Sequence, residues 1–240
     1  MKSPLFPFRV LLVLVFLLVL PISAAADQGT LSPQATDRYV ATTGTDSGGC
    51  TNPSNPCRTI NYTFDQTDSG DTIHIAAGKY VENVSLFHGV NLVGAGATTT
   101  ILNGDAFSNV VYVFSDTIPT TISHLTIRNG ASEYGGGVGN VSQLTLDDVI
   151  IEDNAVTSQG GGIYNDGDLT MLNSIVRNNS SSNVAAGMIN HNTAVIRNST
   201  FSGNRITSSN YGGAIHNNAD ATMELTNVTI SGNEAYSSGG

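Results

Sequence analysis

Apolar and polar residues alternate in short pairs along the second half of the chain, and the pairs return at a fixed interval. Leu144/Leu146, Leu169/Met171, Ala194/Ile196 and Met223/Leu225 occupy equivalent places. Leu125/Ile127, Val149/Ile151, Ser174/Val176, Ser199/Phe201 and Val228/Ile230 form a second series. A period of two points both members of a pair to one side of a strand. Between the two series runs a turn column, Asp148, Asn173, Asn198 and Asn227. Another column, Asn154, Asn179, Asn204 and Asn233, ends the second strand. Asparagine tolerates left-handed corners, and its amide can bond the equivalent amide one repeat away.

A third element starts from Gly-Gly-(Gly/Ala)-apolar. It occurs as Gly135-Gly136-Gly137-Val138, Gly160-Gly161-Gly162-Ile163 and Gly212-Gly213-Ala214-Ile215, with a decayed copy at Ala185-Ala186-Gly187-Met188. Asn140, Asn165, Asn190 and Asn217 close these units, spaced 25, 25 and 27 residues apart. Glycine before this strand permits corner dihedrals closed to other residues. A period near 25 with strand-like content predicts a solenoid whose rungs cannot bury their apolar faces alone. Three short strands and three turns per rung describe an all-β, right-handed parallel β-helix. About seven rungs from Thr72 onward, at roughly 4.8 Å each, give a rod of about 34 Å. Helical repeats are excluded by the Gly/Asn/Thr content, and leucine-rich repeats by the missing leucine spacing.

The first half reads differently. Residues 1–26 form a signal peptide: Lys2 and Arg9, an apolar run from Val10 to Leu20, then Ala24-Ala25-Ala26. The run is too short to span a bilayer, and the mature chain holds no second one. Residues 27–38 read as a flexible lead-in. Residues 39–102 read as an N-terminal strand/helix cap with the first rungs. Here a helix-like stretch runs from Thr59-Ile60 to about Gln66, a strand covers Thr72 to Ile75, and Gly78-Lys79-Tyr80 makes a turn. Strands at Val84–Leu86 and Val90–Val93 follow. A solenoid must cover its first rung, and a short strand with an amphipathic helix is the expected cover. Residues 103–240 are the repeats. The last rung stops at Ser238-Gly239-Gly240, so the sequence reads as a C-terminally incomplete piece whose open rung would self-associate end to end.

Charge narrows the partners. Without the signal peptide, 7 basic residues face 19 acidic ones, a net of −12. That excludes nucleic acid, which needs clustered Lys/Arg, and disfavours polyuronates unless a cation intervenes. Cys50 and Cys57, in a Gly/Pro/Asn-rich loop of an exported chain, predict one local disulfide.

Phe201-Ser202-Gly203-Asn204 followed by Gly212-Gly213-Ala214-Ile215 resembles the paired FxxN and GGA(I/L/V) motifs of polymorphic outer membrane protein repeats. Ile151 to Asn154, Val176 to Asn179 and Ile230 to Asn233 are weaker first halves. The segment with Tyr39-Val40, Gly44, Asp46, Pro56, Thr59-Ile60, Gly70-Asp71-Thr72-Ile73, Gly78 and Tyr80 is similar to the N-terminal region of secreted pectin-lyase-like β-helix proteins. Together the resemblance spans about residues 39 to 240. It implies the fold, and it leaves activity open among lyases, hydrolases and adhesins.

Catalytic patterns are sparse. A uronan lyase needs an Arg or Lys base, often with Ca²⁺ held by clustered Asp. Arg128, Arg177, Arg197 and Arg205 stand beside no acidic cluster in the sequence, and solvated turn faces account for Arg128 and Arg177. A glycosidase needs two carboxylates facing one bond, but Asp147 and Asp148 are adjacent and point apart. Neither Asn-Thr-Asp nor Gly-His-Gly occurs. Asn165-Asp166-Gly167-Asp168 offers oxygens for Ca²⁺, against the reading of an Asx turn between rungs. His191 and His216 fall in different columns, which argues against a metal pair. Tyr134, Tyr211 and Tyr236, on loops between second and third strands, could form a stacking platform for neutral sugars. The reading drawn from these features is an exported, secreted or surface-associated scaffold with an adhesin-like role and no catalysis, its partner an extracellular glycan or a neighbouring cell surface. The alternative is a carbohydrate-active enzyme, a polysaccharide lyase or glycoside hydrolase, with catalytic rungs beyond residue 240.

Overall fold

The computed structural model describes residues 34–115, 118–208, 211–237 and 239. The signal peptide and most of the lead-in lie outside the described residues. The unit from Ala35 to Gly240 is a right-handed parallel β-helix of about six turns. Its first sheet stacks Asp37–Val40, Thr72–Ile75, Asn91–Gly94, Thr120–Arg128, Gln143–Glu152, Asp168–Leu172, Thr193–Arg197 and Thr222–Thr226. The second stacks Val84–Leu86, Val111–Val113, Val138–Asn140, Ile163–Asn165, Met188–Asn190 and Ile215–Asn217. Each pairing between rungs in these sheets is parallel and in register: Leu144 lies on Leu169, then Ala194, then Met223.

The paired apolar columns stack into one continuous core. Leu146, Met171, Ile196, Ile127, Ile151, Val176 and Phe201 are all fully buried. The corners are made where the backbone must turn left-handed. His124, Asp148, Asn173, Asn198 and Asn227 have φ between 50 and 56°. At the second corner the left-handed residue is Asn129, Asp153, Asn178 or Gly203, one place before the asparagine column. The sequence allowed Asn154, Asn179 and Asn204 either role, left-handed corner or rung-to-rung amide ladder, and they do not take the corner. Those three instead turn their amides into the core: Asn154 Nδ2 donates to Asn179 Oδ1 at 2.9 Å, Asn179 to Asn204 at 3.0 Å, and Asn204 to Asn233 at 2.8 Å. A second file runs from Asn140 to Asn165, Asn190 and Asn217, each link 2.7 Å. A buried amide is costly unless paired, and here each rung supplies the partner of the next.

Three features differ from the sequence reading. The stretch after the second corner, expected as loop, forms a third sheet of Ala131–Tyr134, Ala155–Gln159, Ser180–Ser181 and Arg205–Ile206. Its strands are so short that one inward residue each (Val156, Ser181, Ile206) carries the alternation. Gly78–Val81, expected as a turn, is a strand pairing Thr100–Asn103, with Tyr80 buried beneath the cap. The lead-in also ends earlier than expected, because Asp37 and Arg38 already belong to the first strand.

The cap closes the N-terminal end. The helix Ile60–Phe64 starts at Thr59, whose hydroxyl accepts from Tyr62 N, while Glu82 accepts from the Ile60 and Asn61 N–H groups at 3.0 and 2.9 Å. Ile60 and Phe64 cover the first rung. Cys50 and Cys57 form the disulfide. Buried Arg38 pairs with buried Asp71 at 2.9 Å. Burial alone would raise the Asp71 carboxyl pKa, but N–H donors of Thr36 and Asp68 and the Arg38 guanidinium hold it below the usual value.

At the other end, Leu225 and Ile230 are 45% and 47% exposed, whereas their counterparts in earlier rungs are buried. Added length enters only at turns: the last links of the two asparagine files span 27 and 29 residues instead of 25.

Candidate functional site

The middle residue of each second-sheet strand faces outward, and in register these residues are Ser85, Tyr112, Gly139, Tyr164, Ile189 and His216. The column is rich in rings, and glycines seat them. A Cβ on Gly139 would stand 2.6 Å from the Tyr112 ring, so the ring lies across the rung above it. A Cβ on Gly135, whose φ is +61°, would meet the Tyr164 Cβ at 2.9 Å. Tyr134 meets Tyr164 edge-on at 5.4 Å between centroids, and Tyr164 meets His191 at 5.0 Å. Tyr112 continues to Phe114 at 5.6 Å, and Phe114 to Phe87 at 6.1 Å. Tyr134, Tyr164 and His191, like Phe87 and Phe114, step from rung to rung along the rod, while Tyr112 and Phe114 lie in the same rung.

Two clefts flank this file and share Val141 and Asp166 as a common wall. One, about 380 Å³, lies among Asn109, Tyr112, Glu133, Tyr134, Tyr164 and Asp166. The other, about 300 Å³, lies among Ser115, Ser142, Gln143, Asp166, Asp168 and Asn192. Burial, with the nearby Asp166 charge, pushes the Tyr164 hydroxyl pKa up. Burial pushes the His191 pKa down, with Asp166 opposing. Both His191 nitrogens are engaged: Asn218 Nδ2 donates to Nδ1, and Nε2 donates to Gln159 Oε1 at 3.3 Å. That pattern fits a neutral ring held in place.

Of the three tyrosines singled out from sequence, the structure brings only Tyr134 into this file. Tyr211, 43% exposed, packs on His216 at 5.2 Å. Tyr236, 65% exposed, borders a separate cleft with Arg205 and Glu234. Tyr112 and Tyr164 were missed. The signal was present: each stands between the apolar residue and the residue that ends its second-sheet strand, Val113 or Asn165. Asn165 does not converge with Asp166 and Asp168 on a cation, because its amide is buried and committed to Asn140, Gly167, Asn190 and Thr193. Among the described residues no group of three His, Cys, Asp or Glu side chains is placed to hold a metal. Nor is any helix among them long and apolar enough to cross a membrane.

The repeat arginines lie on other faces and are each paired across rungs. Glu152 takes Arg128 at 3.3 Å and Arg177 at 2.7 Å, Glu224 takes Arg197 at 2.9 Å, and Glu234 takes Arg205 at 3.2 Å.

No family model matches the chain, and no curated protein matches it. Among solved structures, the chain is similar to a pectin methylesterase variant in complex with a hexasaccharide: 12% identity, TM-score 0.49, covering 82% of this chain and 67% of that one. It is also similar to the pectin methylesterase of Aspergillus niger (14%, TM-score 0.43, 86% and 91% covered) and that of Erwinia chrysanthemi (12%, TM-score 0.42, 84% and 82% covered). At such identities the likeness speaks for the fold. These three are pectin methylesterases, which are enzymes, and on that finding the expectation of a non-catalytic, adhesin-like scaffold is corrected; the activity of this chain is a matter for the proposal below. The resemblance to polymorphic outer membrane protein repeats rests on its motif residues alone.

Proposed function

We propose that the protein is a carbohydrate-active β-helix protein, of the enzymatic rather than the adhesive kind, that holds a glycan chain in the cleft of the second sheet. The observation carrying this reading is the file Tyr112–Tyr134–Tyr164 lining one cleft that opens across Val141 and Asp166 onto a second. Tyr112 and Tyr164 are two rungs apart, about 10 Å at the sheet spacing, comparable to the advance of a disaccharide. Flat rings backed by glycine suit the apolar faces of sugar rings, while Asn109, Gln143 and Asn192 supply hydrogen-bonding groups at the rims. Asp166 and Asp168 are carboxylates of the cleft, the residue type that glycoside hydrolysis uses in pairs. Proton abstraction by arginine is disfavoured, since the repeat arginines are neutralised by carboxylates and none lines either cleft.

Calorimetry of the mature protein against soluble oligosaccharides tests the reading. Tyr164→Ala should weaken binding about tenfold with the fold retained by circular dichroism. Asp166→Asn and Asp168→Asn should remove hydrolysis while sparing neutral-sugar binding. Absence of binding to any oligosaccharide, with Tyr164→Ala unchanged, would overturn it.

We further propose export to an oxidising compartment, supported by the sequence of residues 1–26 and by the Cys50–Cys57 bond, and repeats of the polymorphic outer membrane protein type, supported by the motif residues. End-to-end association of this polypeptide is supported by exposed Leu225 and Ile230 beside unpaired strand edges. Light scattering that stays monomeric at high concentration would refute that association.

A further inference from the structure

We infer that the glycan held in this cleft carries free amino groups, making it an amino-sugar polymer rather than a neutral or acidic one. The inference rests on the glycan-binding reading above and names the substrate class of that site. Its ground is a contrast in how carboxylates are satisfied. Elsewhere on the first and third sheets Glu152, Asp153, Glu224 and Glu234 each meet an arginine within 3.3 Å, though carboxylates such as Asp147 and Asp65 are in no ion pair among the described residues. Glu133 and Asp166 border the tyrosine file, Asp168 lies in the adjoining cleft across the shared Asp166 wall, and among the described residues none of the three is in an ion pair. No lysine or arginine lines either cleft. Asp166 follows the inward Asn165 at the end of a second-sheet strand, Asp168 opens a first-sheet strand, and Glu133 lies in the third sheet beside Tyr134.

Such a surface repels a uronate and has nothing to neutralise one. A neutral sugar would stack on the rings but leave the carboxylates to water. A ring bearing an ammonium satisfies both components at once: its face stacks on tyrosine, its charge meets a carboxylate, and the tyrosine face itself attracts a cation. The acidic chain, with 19 acidic residues against 9 basic ones over the full sequence, adds long-range attraction of the same sign.

The test compares two probes that differ only in acetylation, the β-1,4-linked glucosamine hexamer and the N-acetylglucosamine hexamer, by calorimetry with the mature protein. The free-amine hexamer should bind about tenfold tighter, and the preference should shrink as salt rises. It should collapse in the double variant Asp166→Asn/Asp168→Asn. It should persist in Asp65→Asn/Asp220→Asn, which removes two charges away from the clefts. Equal affinity for the two hexamers overturns the inference while leaving the glycan site standing. So does an equal loss of preference in both double variants, which would mean attraction to net charge alone. If neither hexamer binds and Tyr164→Ala changes nothing, the site itself falls with it.

Discussion

The outward faces of the two long sheets share one backbone pitch and one core, yet their side chains are resolved in opposite ways. On the first sheet, charges close on themselves across rungs, with Arg128, Glu152 and Arg177 forming a continuous chain. On the second, aromatic rings stand on glycine, and the carboxylates around the clefts, Asp166 beside this sheet with Asp168 and Glu133 from the adjoining sheets, have no cation among the described residues. A face that satisfies its own polar groups has little to offer a ligand. A face with ordered rings and unmatched charge has already met the cost of exposing them, and that difference locates function better than depth of cleft does.

The strongest way to break the comparison is to remove what the two faces share. Phe201→Ala empties a fully buried position of the core and should destabilise by about 3 to 5 kcal/mol in chemical denaturation. Its neighbour Ser202, which points outward, should accept Lys within about 0.5 kcal/mol. Equal effects at the two would mean the inward and outward columns are misassigned, and with them both faces. Next in size, Tyr164→Ala should lower glycan affinity about tenfold and shift stability little, whereas a large stability loss would make this ring structural. The mirror experiment is Glu152→Gln. It removes the partner of Arg177 and leaves Arg128 only Asp153, and should cost about 1 kcal/mol in denaturation, with glycan binding unchanged. A loss of binding there would erase the functional distinction between the faces. The smallest effect concerns the decayed glycine motif. Ala185 holds φ at 57°, where its counterparts are Gly135, Gly160 and Gly212. Ala185→Gly should relieve that strain and gain about 0.5 kcal/mol, the left-handed penalty being partly offset by glycine's unfolded-state freedom.

Most of the fold was legible because it is repetitive. A period of two inside a period near 25 leaves few architectures, and the registers of Leu144, Leu169, Ala194 and Met223 follow directly from their alignment. What was hidden is what lacks a pattern. The third sheet escaped notice because strands as short as Ser180–Ser181 leave too little alternation to read. The amide ladder was legible, but the residue that turns the second corner was not, because Asn serves both as a left-handed residue and as a ladder amide, and Asn178 and Asn179 do one each. The site was half seen. Tyr134 drew attention by its place in a variable segment read as loop, while Tyr112 and Tyr164 are half buried and separated in sequence by 52 residues. Only stacking of rungs brings them together, and Gly139 between them looks like a gap until the ring above occupies it.

The asparagine files have one more implication. Because each amide is locked to the one beneath it, neighbouring rungs cannot slide or stretch independently, so the rings on the outer surface are marks on a ruler of fixed pitch, about 4.8 Å. A periodic ligand laid along it gains contacts at successive marks only if its own repeat is commensurate with that pitch. A mismatched polymer drifts out of phase after a few units however well its first ring fits. Selection among long chains would then be made by the hydrogen-bond spacing of the backbone itself, and exchanging one aromatic residue for another would change how tightly a chain is held without changing which chain keeps step.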